Sequence, residues 1–292
     1  MHTLKQDKNF LGLPEDLSDF DKARGLVWPI AHEATTSYAK GTANGPAAIL
    51  EASHQVEFWD DELDLEPCQT GIATLPIFSM DDRSHQEALD AMQKKANELF
   101  AGDKFVLSLG GEHSVTIPLV KAAVERFDNL SVLQLDAHSD LRDSYEGSPL
   151  NHACVMARVN EMCPFVSVGL RSGIRREGEN IRSDAQLFYA GKIQGTHDWM
   201  QKAIDGLTEN VYITFDLDFL DPSIMPSVGT PEPGGFYWYE TLQFLRMVFQ
   251  QRTVVAADIV ELMPIPGLQT SDFLAAKLGY KMFGYKFFHL SA

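Results

Sequence analysis

Three short runs in this 292-residue chain concentrate side chains that bind metals or move protons. They are Gly110-Gly111-Glu112-His113-Ser114, Asp136-Ala137-His138-Ser139-Asp140 and Asp216-Leu217-Asp218. Side chains two apart on an extended chain share a face. Asp136, His138 and Asp140 are therefore expected to point one way, and so are Asp216 and Asp218. Four aspartates gathered in one place repel one another and are driven to protonate unless a counter-charge is present. Two divalent cations would cancel them, which makes His113, Asp136, His138, Asp140, Asp216 and Asp218 the candidate metal ligands. Oxygen donors with two imidazoles and no thiolate suit Mn²⁺ better than a closed structural zinc site, although affinity order alone leaves Zn, Fe, Co and Ni open. Singly, an Asp-x-Asp pair is usually a turn or a cap, and a histidine after two glycines is usually a loop residue. Three such runs at strand ends are hard to explain as loop polarity. Glu112 could be a ligand, but it stands one residue out of phase with His113, which favours a supporting role. Gly110 and Gly111 allow a tight turn and a close approach to the site.

The elements that must position these runs alternate along the chain. Apolar stretches at 25–30, 105–109, 131–135, 165–168, 211–215 and 253–256 read as strands. Between them lie helical signals. Asn44-Gly45-Pro46 starts one helix, with proline preset for its first turn. Ser84-His85-Gln86-Glu87 forms a capping box. Leu89, Met92, Ala96 and Leu99 follow at helical spacing, with Gly102 past the end. Leu119, Val120, Ala123, Val124 and Phe127 line one side of the next helix, and a last helix begins near Ser271. This alternation predicts an α/β fold of three layers, with a mostly parallel sheet covered on both faces. In such sheets ligands bind outside the carboxyl ends of the strands, which is where all three runs lie.

Composition narrows the class further. No internal repeat, low-complexity tract or long linker divides the chain, so residues 1–292 read as one domain. The net charge of −17 repels phosphate backbones, which argues against nucleic acid and favours cations as ligands. Cys68, Cys154 and Cys163 form no C-x-x-C pair and suggest free thiols in a reducing compartment. Met1-His2-Thr3-Leu4-Lys5-Gln6 lacks a basic-then-apolar leader pattern, and no apolar run approaches the ~20 residues of a membrane span. A cytoplasmic protein with no membrane partner is expected.

The three runs, in this order, resemble the ureohydrolase family of arginases and agmatinases. The likeness extends from the segment 41–50 to the last helix. It implies an arginase/deacetylase-like fold holding two Mn²⁺ on the six residues above. Whether Asp136 and Asp218 or Asp140 and Asp216 bridge the metals stays open. Val228-Gly229-Thr230-Pro231, followed by Gly234-Gly235, resembles the family's substrate-side loop, which brings in Thr230. Ala257-Asp258-Ile259-Val260-Glu261 resembles its last core strand, whose glutamate grips the guanidinium, so Glu261 is the implied substrate ligand. His152, in Asn151-His152-Ala153, resembles the histidine that relays protons and contacts substrate. In that scheme the metals activate a shared water, Asp140 carries its proton to the leaving amine, and His152 exchanges protons with solvent. A homotrimer or homohexamer is implied by the resemblance alone.

Rival readings are specific. Cys154 lies two residues from His152 and could be a nucleophile, which would leave six metal-type groups unexplained. Deacetylase-like relatives hold one zinc with fewer ligands. A silent binding protein on the same scaffold is expected to lose ligands, and none is missing here. The stretch from Leu141 to Ser148, together with the segments 58–63 and 278–285, resembles agmatinases, so agmatine is the expected substrate. Arginine and guanidinobutyrate are the alternatives.

Overall fold

The computed structural model describes residues 1–80, 82–174 and 180–288. Eight strands form one sheet: β1 Gly25–Pro29, β2 Ile72–Thr74, β3 Phe105–Leu109, β4 Leu130–Leu135, β5 Phe165–Leu170, β6 Gln186–Tyr189, β7 Asn210–Asp216 and β8 Thr253–Val260. Their order is β2-β1-β3-β8-β7-β4-β5-β6, and every pairing between them is parallel. Parallel strands need crossovers, and these place helices on both faces. Val27, Leu107, Leu133 and Ile213 pack on one side, with residues of the Trp238–Gln251 and Thr270–Phe287 helices. Leu26, Val106, Val132 and Tyr212 pack on the other, with the His85–Phe100, Thr116–Arg126 and Val155–Met162 helices. The expected three layers are present, and the sheet is wholly parallel.

Local signals act as their chemistry dictates. The Glu87 amide donates to Ser84 Oγ at 3.3 Å, and the Ser84 amide donates to a Glu87 oxygen at 2.9 Å. Pro46 sits in the first turn of the Gly45–Ser53 helix. β1 stops at Pro29, one residue short of expectation, and Ile30 pairs instead with Phe78 in an isolated bridge. β2 and β6, both at sheet edges, were not expected from the sequence. No described helix is long and apolar enough to cross a membrane.

A buried ionic network locks the last helix. Lys281 Nζ donates to Asp60 Oδ1 at 2.8 Å and to Glu62 Oε2 at 3.1 Å, and Lys281 and Asp60 are both almost fully buried. Glu62 also accepts from Arg246 at 2.7 Å and from the Tyr285 hydroxyl at 2.5 Å. Removing one member of a buried pair leaves an uncompensated charge, which costs about 3–5 kcal/mol. Lys281→Met is therefore expected to lower the urea-denaturation midpoint by an amount corresponding to that cost. A midpoint equal to wild type would show that this pair does not hold the helix.

Candidate active site

Four neighbouring central strands, β3, β8, β7 and β4, deliver the chemistry at their carboxyl ends. His113 follows β3 in a single 3-10 turn, Glu261 follows β8, Asp216 ends β7, and Asp136 follows β4. A β-carbon on Gly111 would lie 2.0 Å from the His32 carbonyl oxygen, so only glycine lets the chain pass there. The same-face rule does not explain how the acids meet. Asp140 has a left-handed backbone (φ +49°), and Asp218 lies in a 3-10 turn whose amide donates to Asp216 Oδ1 at 2.9 Å. Turns rather than extended chain aim these side chains, and Asp216 and Asp218 face different histidines.

The six candidate ligands nevertheless converge. His113 Nδ1 lies 3.1 Å from Asp140 Oδ2, 3.2 Å from Asp136 Oδ2 and 3.4 Å from Asp216 Oδ2. His138 Nδ1 lies 2.7 Å from Asp218 Oδ2 and 3.8 Å from Asp136 Oδ1. The two oxygens of Asp136 thus face two histidine-centred groups. All four aspartates are buried, and His138 is a quarter exposed toward the cavity.

The tautomer of His113 follows from its supports. Asp258 Oδ1 accepts the only hydroxyl hydrogen of Thr214 at 2.7 Å, and Asp258 Oδ2 accepts from Tyr212 at 2.7 Å and Thr116 at 2.9 Å. Thr214 Oγ1 must then accept at 2.9 Å from Nε2–H of His113. In the neutral ring this leaves Nδ1 as a buried lone pair with no hydrogen-bond partner, facing three carboxylates. Lone pair against carboxylate is repulsive unless a proton or a metal cation lies between them: burial opposes charging the ring, while Asp136, Asp140 and Asp216 push His113 well above the usual imidazole range, and each histidine-centred group has the donor types that hold a metal instead. Charge tells the same story. Burial and the nearby Asp218 and Asp140 push Asp136 up to about 7, and burial with Asp218 drives Asp216 well above the usual carboxylate range. Burial also opposes ionisation of Asp218, but His138 beside it holds that carboxyl down at about 2.

Around this floor lies a cavity of about 330 Å³ whose lining includes His152, Thr230 and Glu261. Glu261 has a left-handed backbone (φ +67°), and its Oε1 accepts the His113 amide at 2.6 Å. Burial pushes its carboxyl up to about 8. His152 receives Thr35 on two atoms: its amide donates to Thr35 Oγ1 at 2.9 Å, and its Nδ1 lies 3.2 Å from the same oxygen. Glu112 is engaged on both carboxylate oxygens. It accepts the Ala34 and Thr35 amides at 2.7 and 2.6 Å, and the hydroxyls of Thr35 and Ser114. The rival nucleophile Cys154 is buried against the Ser148 carbonyl, and burial followed by Asp140 pushes its thiol up to about 11. A thiol so held stays protonated at neutral pH.

Sequence reasoning missed the supports. Arg171, just past β5, donates to the backbone carbonyls of Gly169, Asp218 and Glu232. Gln134 Nε2 donates to Asp136 Oδ2 at 2.7 Å, and its own oxygen accepts from Ser167. The available signals were an arginine at a strand end, and polar residues (Gln134, Thr214, Asp258) inside buried apolar strands.

Comparison with known proteins agrees with this geometry. Residues 24–284 match the model of the arginase family. The chain is 41% identical to an N(1)-aminopropylagmatine ureohydrolase of Synechocystis sp., covering 93% of this chain and 92% of that protein. It is 32% identical to an agmatinase of Bacillus cereus, covering 84% and 86%. Its fold superimposes on an agmatine ureohydrolase of Thermoplasma volcanium with a TM-score of 0.85 and 27% identity, covering 98% of this chain and 95% of that one. The chain belongs to the arginase family and is a ureohydrolase by that membership.

Proposed function

We propose that this ureohydrolase releases urea from a guanidinoalkylamine: agmatine, or agmatine extended by an aminopropyl group. The observation that carries the reading is Asp136, shared between two imidazole–carboxylate groups on the floor of a cavity that Glu261 also enters. When bound there, two divalent cations, Mn²⁺ by donor type, balance the carboxylates and make water a nucleophile at neutral pH. Asp136 would be shared by the two ions, while His113, Asp140 and Asp216 would hold one and His138 and Asp218 the other. Glu261 keeps Oε1 on the His113 amide and offers its other oxygen to the guanidinium, which turns the guanidinium carbon toward the floor. Asp140 takes the proton of the attacking water and passes it to the leaving nitrogen. His152, steadied by Thr35, exchanges that proton with solvent. Thr230 lines the path of the methylene chain.

The aminopropyl-extended substrate is favoured by the relatives, since an enzyme named for it is 41% identical across 92% of its length. The test is kcat/KM for urea release from agmatine, N(1)-aminopropylagmatine and arginine at matched pH and Mn²⁺ loading. Arginine adds a carboxylate that must shed water, and a buried charge without a partner costs several kcal/mol. Both amines are expected to exceed arginine by at least ~10²-fold. Arginine turned over as well as either amine would overturn the substrate assignment.

A further inference from the structure

The cavity wall carries an acid that the chemistry on its floor does not use. Glu232 lines the cavity on the loop after β7 and is half-buried. Among the described residues nothing pairs with its carboxylate. The other acids of the cavity are committed: Asp140 and Asp216 face His113, Asp218 faces His138, and Glu261 holds the His113 amide. An arginine that also lines the cavity, Arg142, stacks over Tyr145 with 4.4 Å between the guanidinium carbon and the ring centroid.

The backbone of Glu232 is also tied to the floor. Pro231 and Pro233 flank it and restrict its backbone. Arg171 donates to its carbonyl at 2.9 Å through Nη2, and the same guanidinium binds the carbonyls of Asp218 and Gly169. Beyond it, Asp221 Oδ2 accepts the Gly234 and Gly235 amides, both at 3.0 Å. A β-carbon on Gly235 would fall 2.4 Å from the Asp221 nitrogen, so the loop lies against the chain that leaves Asp218. One arginine therefore couples the backbone of a floor acid to that of the wall acid. The wall acid is thus carried on a loop whose backbone is anchored to the floor.

We propose that Glu232 is the specificity-determining residue for the end of the substrate away from the guanidinium, where it pairs with an ammonium group. The proposal rests on the ureohydrolase reading above and deepens it: the cavity selects guanidino compounds that carry at least one further positive charge. A carboxylate without a protein partner gains from an ammonium and gains nothing from a methyl group. It repels a carboxylate at the same place.

The test compares substrates that differ only at that end. 1-Butylguanidine keeps the guanidinium and four-carbon chain of agmatine and lacks the amine. For Mn²⁺-loaded protein, kcat/KM is measured on agmatine, N(1)-aminopropylagmatine and 1-butylguanidine, with metal content confirmed for each variant. In Glu232→Gln, the preference for the better amine substrate over 1-butylguanidine is expected to fall about tenfold, mostly through KM. Glu232→Asp is expected to recover part of it, and Glu232→Lys to remove it. A preference unchanged in Glu232→Gln and Glu232→Lys, with urea still released, overturns the role of Glu232 and leaves the ureohydrolase reading standing. No urea from any guanidino compound with wild-type protein overturns both.

Discussion

Chelation of the purified chain is expected to abolish urea release, and Mn²⁺ to restore it. Asp136→Asn is expected to hold fewer than two metals per chain and to lose more than ~100-fold in turnover. The prediction begins from the floor. His113 Nδ1 has no hydrogen-bond partner and faces three carboxylate oxygens at 3.1 to 3.4 Å. Asp136 sends its other oxygen toward His138. The amide of the Asn variant keeps the shape and loses the charge both groups share. Disturbing residues that only orient ligands typically costs 10–100-fold in metal affinity or activity, so loss of a shared ligand should exceed that. Metal analysis separates this reading from a single-zinc deacetylase-like site: near two ions per chain supports it, and near one supports the rival. Full turnover by protein shown to be free of metal would sink it.

Much of this site is legible in the residues because metal chemistry is local. Asp136, His138 and Asp140 lie within five positions, and a strand that ends in such a run announces where the run sits. β3 matches its run residue for residue, since a strand buried on both faces reads as a nearly continuous apolar stretch, here broken only by Ser108. The illegible parts are edges and distant partners. β2 is three residues long, too short for a period to show. β6 lies at the sheet edge and is largely exposed, so it lacks the buried-strand signature. The Trp238–Gln251 helix begins with aromatic residues that favour strands as much as helices. Asp258 supports His113 through Thr214, a partner 44 positions away in the chain, and Arg171 reaches 61 positions to the Glu232 carbonyl. Such pairs become visible only when the strand order brings β5, β7 and β8 into place. The acids meet, but not on the common face that an extended chain implies: extended geometry ends with the strand, and beyond it the left-handed turn at Asp140 and the 3-10 turn at Asp218 set the directions, so that Asp216 and Asp218 face different histidines.

Glu261→Gln is expected to keep both metals and lose about 30-fold or more in kcat/KM. The glutamate has two tasks that this substitution separates. Oε1 accepts the His113 amide at 2.6 Å, which helps fix the turn that carries a metal-type ligand. A glutamine presents a carbonyl oxygen to that amide, so the turn and the metals should stay. The second task is charge. Burial favours the neutral acid and pushes this carboxyl up to about 8, so its ionised form depends on positive charge brought beside it. A guanidinium is such a charge, and its N–H donors can reach the carboxylate oxygen that the His113 amide leaves free. A primary amide cannot match that pairing, because one of its two polar atoms is itself a donor. Losing the ionic half of a buried pair costs roughly 2–5 kcal/mol, which is ~30-fold or more in kcat/KM. Glu261→Ala is the contrasting variant. It leaves the His113 amide without an acceptor and should lose metal as well as turnover. Metal content per chain and kcat/KM on the same preparations decide the matter. A Gln variant that lost its metals would make Glu261 a support of the metal floor, and one with wild-type kcat/KM would remove it from substrate binding.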